Sequence, residues 1–314
     1  MRFCSEDKGI QNLQKITNND NGKCMKQLEK IEQYKAKRKE QLSNDSPIKH
    51  VLFHKKIHPI LRKILRIKRF VMGQTITVVD DKSITDNRTV IYAVTHIGKY
   101  DYEMISETLR NYFYSFAGDW ELMYGTIDDY YMRVSGVIYI DTEDKEDRKN
   151  AYRYAVKALK QGIPVMWFPE GIWNLSESLP MLHLYPGLIN AAEEAGVEIV
   201  PVAVDQRGKD FFINIGRNID VNNVDGDKVE YLRNTLATLK WEIWEKHELV
   251  ERKQIPENYY EKFLEERFKE WPQFNIDIVK HREFRPRGIV ERQEAFAFME
   301  NLIPSKANAF LFRK

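Results

Sequence analysis

Six short apolar runs punctuate the middle of the chain: "TITVV" (75–79), "TVIYAVT" (89–95), "GVIYI" (136–140), "IPVMWF" (163–168), "EIVPVAV" (198–204) and "FFINIG" (211–216). Each is rich in β-branched or aromatic residues, and each predicts a strand. Between them, "YDYEMISETLRNYF" (100–113), "EDRKNAYRYAVKALKQG" (146–162) and "LINAAEEAG" (188–196) repeat apolar residues at helical spacing. Gly162 and Gly196 stand where helices stop. Alternating strands and helices predict an α/β fold, a mostly parallel mixed sheet flanked by helices, over residues 74–220. Such sheets bind ligands outside the carboxyl ends of their strands.

The flanks differ in texture and predict helical N- and C-terminal extensions. Residues 1–45 form a polar tail, in which "NNDNG" (18–22) reads as disordered and "MKQLEKIEQYKAKRKEQL" (25–42) as a solvated helix. Residues 46–73 contain no acidic residue. There Leu61, Ile64, Leu65 and Ile67 interleave with Arg62, Lys63, Arg66, Lys68 and Arg69, which predicts a basic amphipathic helix starting near Pro59. Past "VNNVDGDK" the stretch 221–314 reads as mostly helical. Leu232, Leu236, Leu239 and Ile243 form one apolar stripe; Pro256 opens a second helix carrying Tyr260, Phe263, Leu264 and Phe268.

Charge and cysteine content narrow the class. With 49 Lys plus Arg against 47 Asp plus Glu, the balance does not point to nucleic acid. Cys4 and Cys24 are too few for a disulfide scaffold, which suits a reducing cytosol. No run reaches the ~20 apolar residues of a spanning helix, and no secretory signal precedes the first strand. The sequons at Asn87 and Asn174 are therefore read as chance. His50, His54 and His58 recur every four residues and would align on a helix face. No carboxylate or cysteine joins them nearby, so no metal site is assigned.

The chemistry concentrates in "VTHIGKYDYE" (94–103) and "FPEGIWN" (168–174). On one continuous helix, residues five apart point about 140° apart. A strand-to-helix turn at Gly98 instead lets Asp101 fold back onto His96. A carboxylate on one imidazole nitrogen fixes the tautomer and leaves the other nitrogen free to take a proton. The alternative is a turn histidine capped by an aspartate. "FPEG" repeats the arrangement, an acid and a glycine at the end of a strand, where Glu170 either caps the turn or faces a substrate. In a parallel sheet both stretches lie on one rim. The sequence has no G-x-S-x-G elbow, P-loop or dinucleotide fingerprint.

In order along the chain come His96 and Asp101, "GVIYID" (136–141), "FPEG" (168–171) and "VPVAV" (200–204). With these four blocks the stretch from about 70 to 220 resembles the glycerol-phosphate and lysophosphatidate acyltransferases. The resemblance implies transfer of a fatty acyl group from a thioester, acyl-CoA or acyl-carrier protein, to a hydroxyl of a lipid or glycolipid acceptor. His96 would deprotonate that hydroxyl and Asp101 would stabilise the imidazolium. Glu170, Gly171 and Trp173 would bind the acceptor, and backbone N–H groups near the turn would hold the oxyanion. No metal or prosthetic group is implied.

The departures carry information too. Thr142, Ile172–Trp173 and Tyr185–Pro186 occupy places where the family usually has phosphate-gripping cations. Arg148, Lys149 and His183 are the candidate substitutes. Without them the acceptor carries no phosphate there, and a glycolipid or sugar hydroxyl becomes the alternative; Trp173 would then stack on a sugar or pack on an acyl chain, or else be core. A non-catalytic lipid-binding homologue is a further alternative. An enzyme of lipids with no spanning segment needs access to membranes. Arg62, Lys63, Arg66 and Arg69 are therefore expected to meet an anionic surface, placing the protein in the cytoplasm, peripheral on the inner face of the membrane.

Overall fold

A computed structural model describes residues 18–44, 48–86, 88–109, 111–118, 127–142, 144–175 and 179–247, together with residues 262, 265 and 269. Its strands are β1 (Thr75–Asp81), β2 (Val90–Val94), β3 (Tyr114–Ala117), β4 (Val137–Tyr139), β5 (Val165–Trp167), β6 (Glu198–Arg207) and β7 (Asp210–Ile215). Its longer helices are α1 (Asn18–Ser43), α2 (Val51–Val71), α3 (Asp101–Thr108), α4 (Ile127–Ser135), α5 (Lys145–Lys160), α6 (Gly187–Ala195) and α7 (Lys228–Trp244). The strands form one sheet in the order β1-β7-β6-β2-β5-β3-β4. Every neighbouring pair is parallel except β6 and β7, so the sheet is mixed and mostly parallel, as the pattern predicts.

β2 is the centre of the sheet and is buried throughout. Its residues alternate between two cores. Ile91 and Ala93 face Leu159, Leu188 and Leu236, on the side of α5, α6 and α7. Val90, Tyr92 and Val94 face Ile105, Phe113 and Phe211. A strand buried on both faces reads as a continuous apolar run, which is why "VIYAV" shows no polar alternation. The helices begin where short acids cap them. The Asp144 side chain accepts the amides of Glu146 and Asp147 at the start of α5, and Asp227 does the same for Val229 and Glu230 at α7. The stripe Leu232, Leu236, Leu239 and Ile243 is buried, as expected. The helix expected from Pro256 lies outside the described residues.

Several expectations change. The helix expected over 100–113 stops at Thr108, and Tyr114–Ala117 form a strand between β5 and β4. The run "YFYSF" carries too many aromatics for helix spacing to settle, and sheet burial decides it. Helix α4 was not expected. The basic helix starts at Val51, so Pro59 lies inside it rather than in its first turn. Pro59 is exposed, so water can serve the carbonyl it leaves unpaired.

The N-terminal stretch is no simple tail. Residues 18–22, expected to be disordered, belong to α1. Arg38, 6% exposed, donates to the Tyr139 carbonyl at the end of β4 and to Asp147 Oδ2 at 2.7 Å. Helix α1 thus packs on α5 and supplies a donor to one carbonyl at the β4 edge of the sheet. Asp147 Oδ2 also accepts the Asp141 amide, so this buried carboxylate ties α1, α5 and the β4 exit together.

Helix α2 carries two apolar faces. His58, Leu61 and Leu65 are buried, while Leu52, Phe53, Ile60, Ile64, Ile67, Phe70 and Val71 are exposed. Its arginines have partners within the fold. Arg62 donates to the Glu107 carbonyl, and Arg66 and Arg69 reach the Glu107 carboxylate. Lys68 pairs with Glu103 at 2.7 Å. Three of the four cations expected to face a membrane thus brace α2 against α3, and Lys63 is exposed. His50 precedes the helix with φ 67°, and His54 and His58 pack against Tyr112. Burial pushes the His58 imidazole down to about 4, so it is neutral at pH 7.

Arg38→Ala is expected to lower folding stability by about 3–5 kcal/mol, because it leaves the Asp147 carboxylate buried without its cation. Denaturant unfolding of the full chain measures this. A loss below ~1 kcal/mol, the size of a surface pair, would mean that α1 does not brace the sheet.

Candidate active site

β2 ends at Val94, and the chain turns through Thr95, His96, Ile97 and Gly98 into α3. Asp101 opens α3 and is fully buried. Its Oδ2 faces His96 Nδ1 at 2.9 Å and accepts the amides of Ile97 at 2.5 Å and Gly98 at 3.0 Å. An ionised carboxylate can only accept, so Nδ1 carries the proton and Nε2 is left as the basic nitrogen. The imidazole is about one-fifth exposed. The turn predicted from Gly98 therefore brings His96 and Asp101 together. The same bonds correct another expectation: Ile97 and Gly98 give their amides to Asp101, and Gly171 gives its amide to the Phe168 carbonyl, so these are not oxyanion donors.

"FPEG" follows β5, which lies beside β2 with Ala93 opposite Trp167. Both stretches share one carboxyl-end rim, as expected. Glu170, however, does not face a substrate. It is 2% exposed; Oε1 accepts the His96 amide at 3.0 Å and Oε2 accepts the Leu182 amide at 2.9 Å. Burial pushes its carboxyl up to about 7, against the two amides and Lys240, which favour the charged form. The Asn174 amide donates to the His96 carbonyl at 2.6 Å. Both backbone groups of His96 are thus held by the 170–174 turn.

Gly171 has φ +69°, and a Cβ there would lie 3.0 Å from the Tyr185 ring. The glycine serves the backbone turn and the close approach of Tyr185. Trp173 is 9% exposed and meets the His96 ring edge-on at 6.0 Å. Burial against His96, not outward stacking on a sugar, is its observed place. Phe168 stacks face to face on the same imidazole, with centroids 3.9 Å apart and planes 13° apart. The stack was not anticipated, although Phe168 lies in the motif itself. Nor was Leu182, whose backbone contact leaves no mark in the sequence.

Of the candidate substitute cations, Arg148 donates to the Thr142 carbonyl, Lys149 is exposed on α5, and the exposed His183 lies edge-on to Tyr185. Thr142 follows β4, three strands from β2, or about 14 Å across the sheet. The Asn174 sequon is internal: its side chain is 8% exposed and donates to the Leu179 carbonyl. Among the described residues, no three His, Cys, Asp or Glu side chains gather as metal ligands, and His50, His54 and His58 form no such group. No helix among them is long and apolar enough to cross a membrane.

Comparison with known proteins finds similarity to acyltransferases. A curated relative, an uncharacterized acyltransferase of Schizosaccharomyces pombe, is 25% identical over 162 residues, covering 49% of this chain. The match spans 57% of that relative's length. Among solved structures, the 1-acyl-sn-glycerophosphate (LPA) acyltransferase PlsC from Thermotoga maritima matches with 18% identity and a TM-score of 0.48. That match covers 58% of this chain and 78% of PlsC. The Acyltransferase family model matches residues 75–205, from the start of β1 into β6 with His96 and Asp101 inside, so this stretch of the chain is similar to the acyltransferase family.

Proposed function

We propose that the protein transfers a fatty acyl group from a thioester, acyl-CoA or acyl-carrier protein, to a hydroxyl of a lipid-type acceptor. The observation that carries this reading is the His96 Nδ1–Asp101 Oδ2 pair at 2.9 Å on the carboxyl-end rim. Nε2 takes the proton of the acceptor hydroxyl as its oxygen attacks the thioester carbonyl. The C–S bond then breaks, and the proton passes from the imidazolium to the departing thiolate. Asp101 stabilises the imidazolium in between. The chain's own residues supply these steps without a metal or prosthetic group. The preorganised pair also speaks against a non-catalytic lipid-binding homologue.

A second reading concerns the acceptor. Where relatives have Thr-Arg after the glycine, this chain has Ile172 and a Trp173 that is buried against His96. No cation projects from that position, which favours a non-phosphate acceptor such as a glycolipid or sugar hydroxyl. Access to a lipid would come through α2. Its exposed Ile60, Ile64, Ile67 and Phe70, with Lys63 beside them, suit insertion at an anionic surface, on the inner face of a membrane in the cytoplasmic reading.

Three outcomes are expected. With acyl-CoA and acyl-carrier-protein donors and a panel of acceptors, mass spectrometry should show product for the wild type, and His96→Ala should lose about 10²–10⁴-fold in rate. Equal thiol release by both proteins sinks the catalytic reading; lysophosphatidate as sole acceptor sinks the argument from Trp173.

The second outcome is a pH limb. Glu170 titrates at about 7 in the fold, above its ordinary value of 4.5. Protonation turns one of its oxygens into a donor facing an amide, so activity should rise as pH passes upward through about 7, and Glu170→Gln should flatten this limb. Stability should run the other way. A carboxyl with a raised folded value binds its proton more tightly when folded, so its contribution is full below the unfolded value and is lost as pH rises through the folded one. Calorimetry across this range checks the sign.

Third, anionic liposomes should sediment the wild type more than an Ile64→Ser/Ile67→Ser/Phe70→Ser variant. Equal sedimentation removes α2 from the membrane reading.

A further inference from the structure

The same rim holds a buried cation that the proposed reaction does not use. Lys240 of α7 is 2% exposed. Its Nζ donates to the Val204 carbonyl and pairs with Asp205 Oδ1 at 2.9 Å. The Val204 carbonyl also accepts Thr95 Oγ1, and the Val204 amide donates back to that oxygen at 2.8 Å. Thr95 directly precedes His96, whose amide donates to Glu170. A chain of bonds therefore runs from α7, across the end of β6, to the backbone of the candidate base.

Docking of α7 does not require this lysine. The helix already buries Leu232, Leu236, Leu239 and Ile243. Asn214, fully buried on β7, fastens it again by donating to the Leu239 carbonyl at 3.1 Å and to Glu242 at 2.7 Å. A buried ion pair adds little stability over apolar side chains of similar volume. A lysine in this place therefore points to its charge and its aim.

We propose that Lys240 is a positioning residue of the acyl-transfer site: from a helix outside the family-matched stretch, it holds the Val204–Thr95 rim and balances the buried carboxylates Asp205 and Glu170. The proposal rests on the acyl-transfer reading for its kinetic consequence alone. Lys240 favours the charged form of Glu170 against burial, while Asp101 opposes it. Burial pushes the Asp205 carboxyl up, but Lys240, together with Trp244 and Arg207, holds it below its ordinary value. Arg207, half-exposed, also reaches Asp205 Oδ2 at 3.9 Å, and His96 touches Glu170 through its backbone amide.

The test titrates Glu170 in the full chain by carbon-13 NMR of labelled glutamate, with Glu170→Gln assigning the signal. In Asp205→Asn/Lys240→Met, which removes both charges and leaves neither unpaired, the Glu170 midpoint should rise by ~0.5 pH unit or more. In Asp205→Asn alone the cation is no longer offset, and the midpoint should fall. The acidic limb of kcat should follow in each case. A purely structural lysine would move both midpoints together or not at all, and either result overturns the proposal. If the double variant does not fold, Asp205→Asn decides: a midpoint that stays or rises overturns it. If the midpoints move as expected while no donor and acceptor pair reacts, Lys240 still balances Glu170 and Asp205, and the acyl-transfer reading falls. If transfer is seen and the midpoints stay, the reverse holds.

Discussion

Asp101 is fully buried and gives one oxygen to three donors, the His96 ring and the amides of Ile97 and Gly98. A buried carboxylate tolerates ionisation only when such donors surround it. The turn between β2 and α3 supplies all three within five residues, so local chain geometry both solvates the acid and orients the base. The rest of the fold serves to hold that turn still. β2 lies between β5 and β6, buried on both faces; the segment after β5 and the body of β6 both grip the turn. From β5 come Glu170 on the His96 amide and Asn174 on its carbonyl. From β6 comes Val204 on Thr95.

This arrangement separates what touches the reaction from what positions it. Glu170 looks like a substrate ligand because its motif sits on the rim. Both of its oxygens nevertheless accept backbone amides, one from the turn that carries His96 and one from the segment carrying Leu182. With Asn174, which bonds the His96 and Leu179 carbonyls, it joins two loops at this edge of the sheet. Trp173 and Phe168 act similarly. One meets the imidazole edge-on and the other face-on, which leaves the ring little freedom except along the line to Asp101.

Much of this was legible in the chain, for identifiable reasons. Strands β2, β5 and β6 are continuous apolar runs because both faces are buried, and that signal is local. The His96–Asp101 pair was legible because Gly98 marks a turn and the partners lie within one turn of chain. Strand β3 was not, because aromatic residues serve helix and strand equally and only the neighbours β5 and β4 decide between them. The fastening of α1 through Arg38 was hidden for a related reason. A lysine- and glutamate-rich stretch reads as solvated, and the buried arginine gains its meaning from Asp147, 109 residues away. Glu170 was misread because the sequence shows which residue is acidic, not which amides surround it.

The basic helix shows how one pattern serves two ends. Read alone, the alternation of Arg and Lys with Leu and Ile suggests cations facing lipid phosphates. In the fold Arg62, Arg66 and Arg69 converge on Glu107 instead. That leaves a surface on which exposed apolar side chains, with Phe70 82% exposed close to the start of β1, stand beside the exposed Lys55, Lys56, Lys63 and Arg66. An apolar face held rigidly by ion pairs on its flank differs physically from a mobile basic arm. The arm gains from charge and is released by salt, whereas the braced face gains mainly from buried area, with its exposed cations adding a smaller, salt-sensitive part. The arginines thus contribute to any lipid contact indirectly, by keeping α2 at a fixed angle to the domain that carries His96.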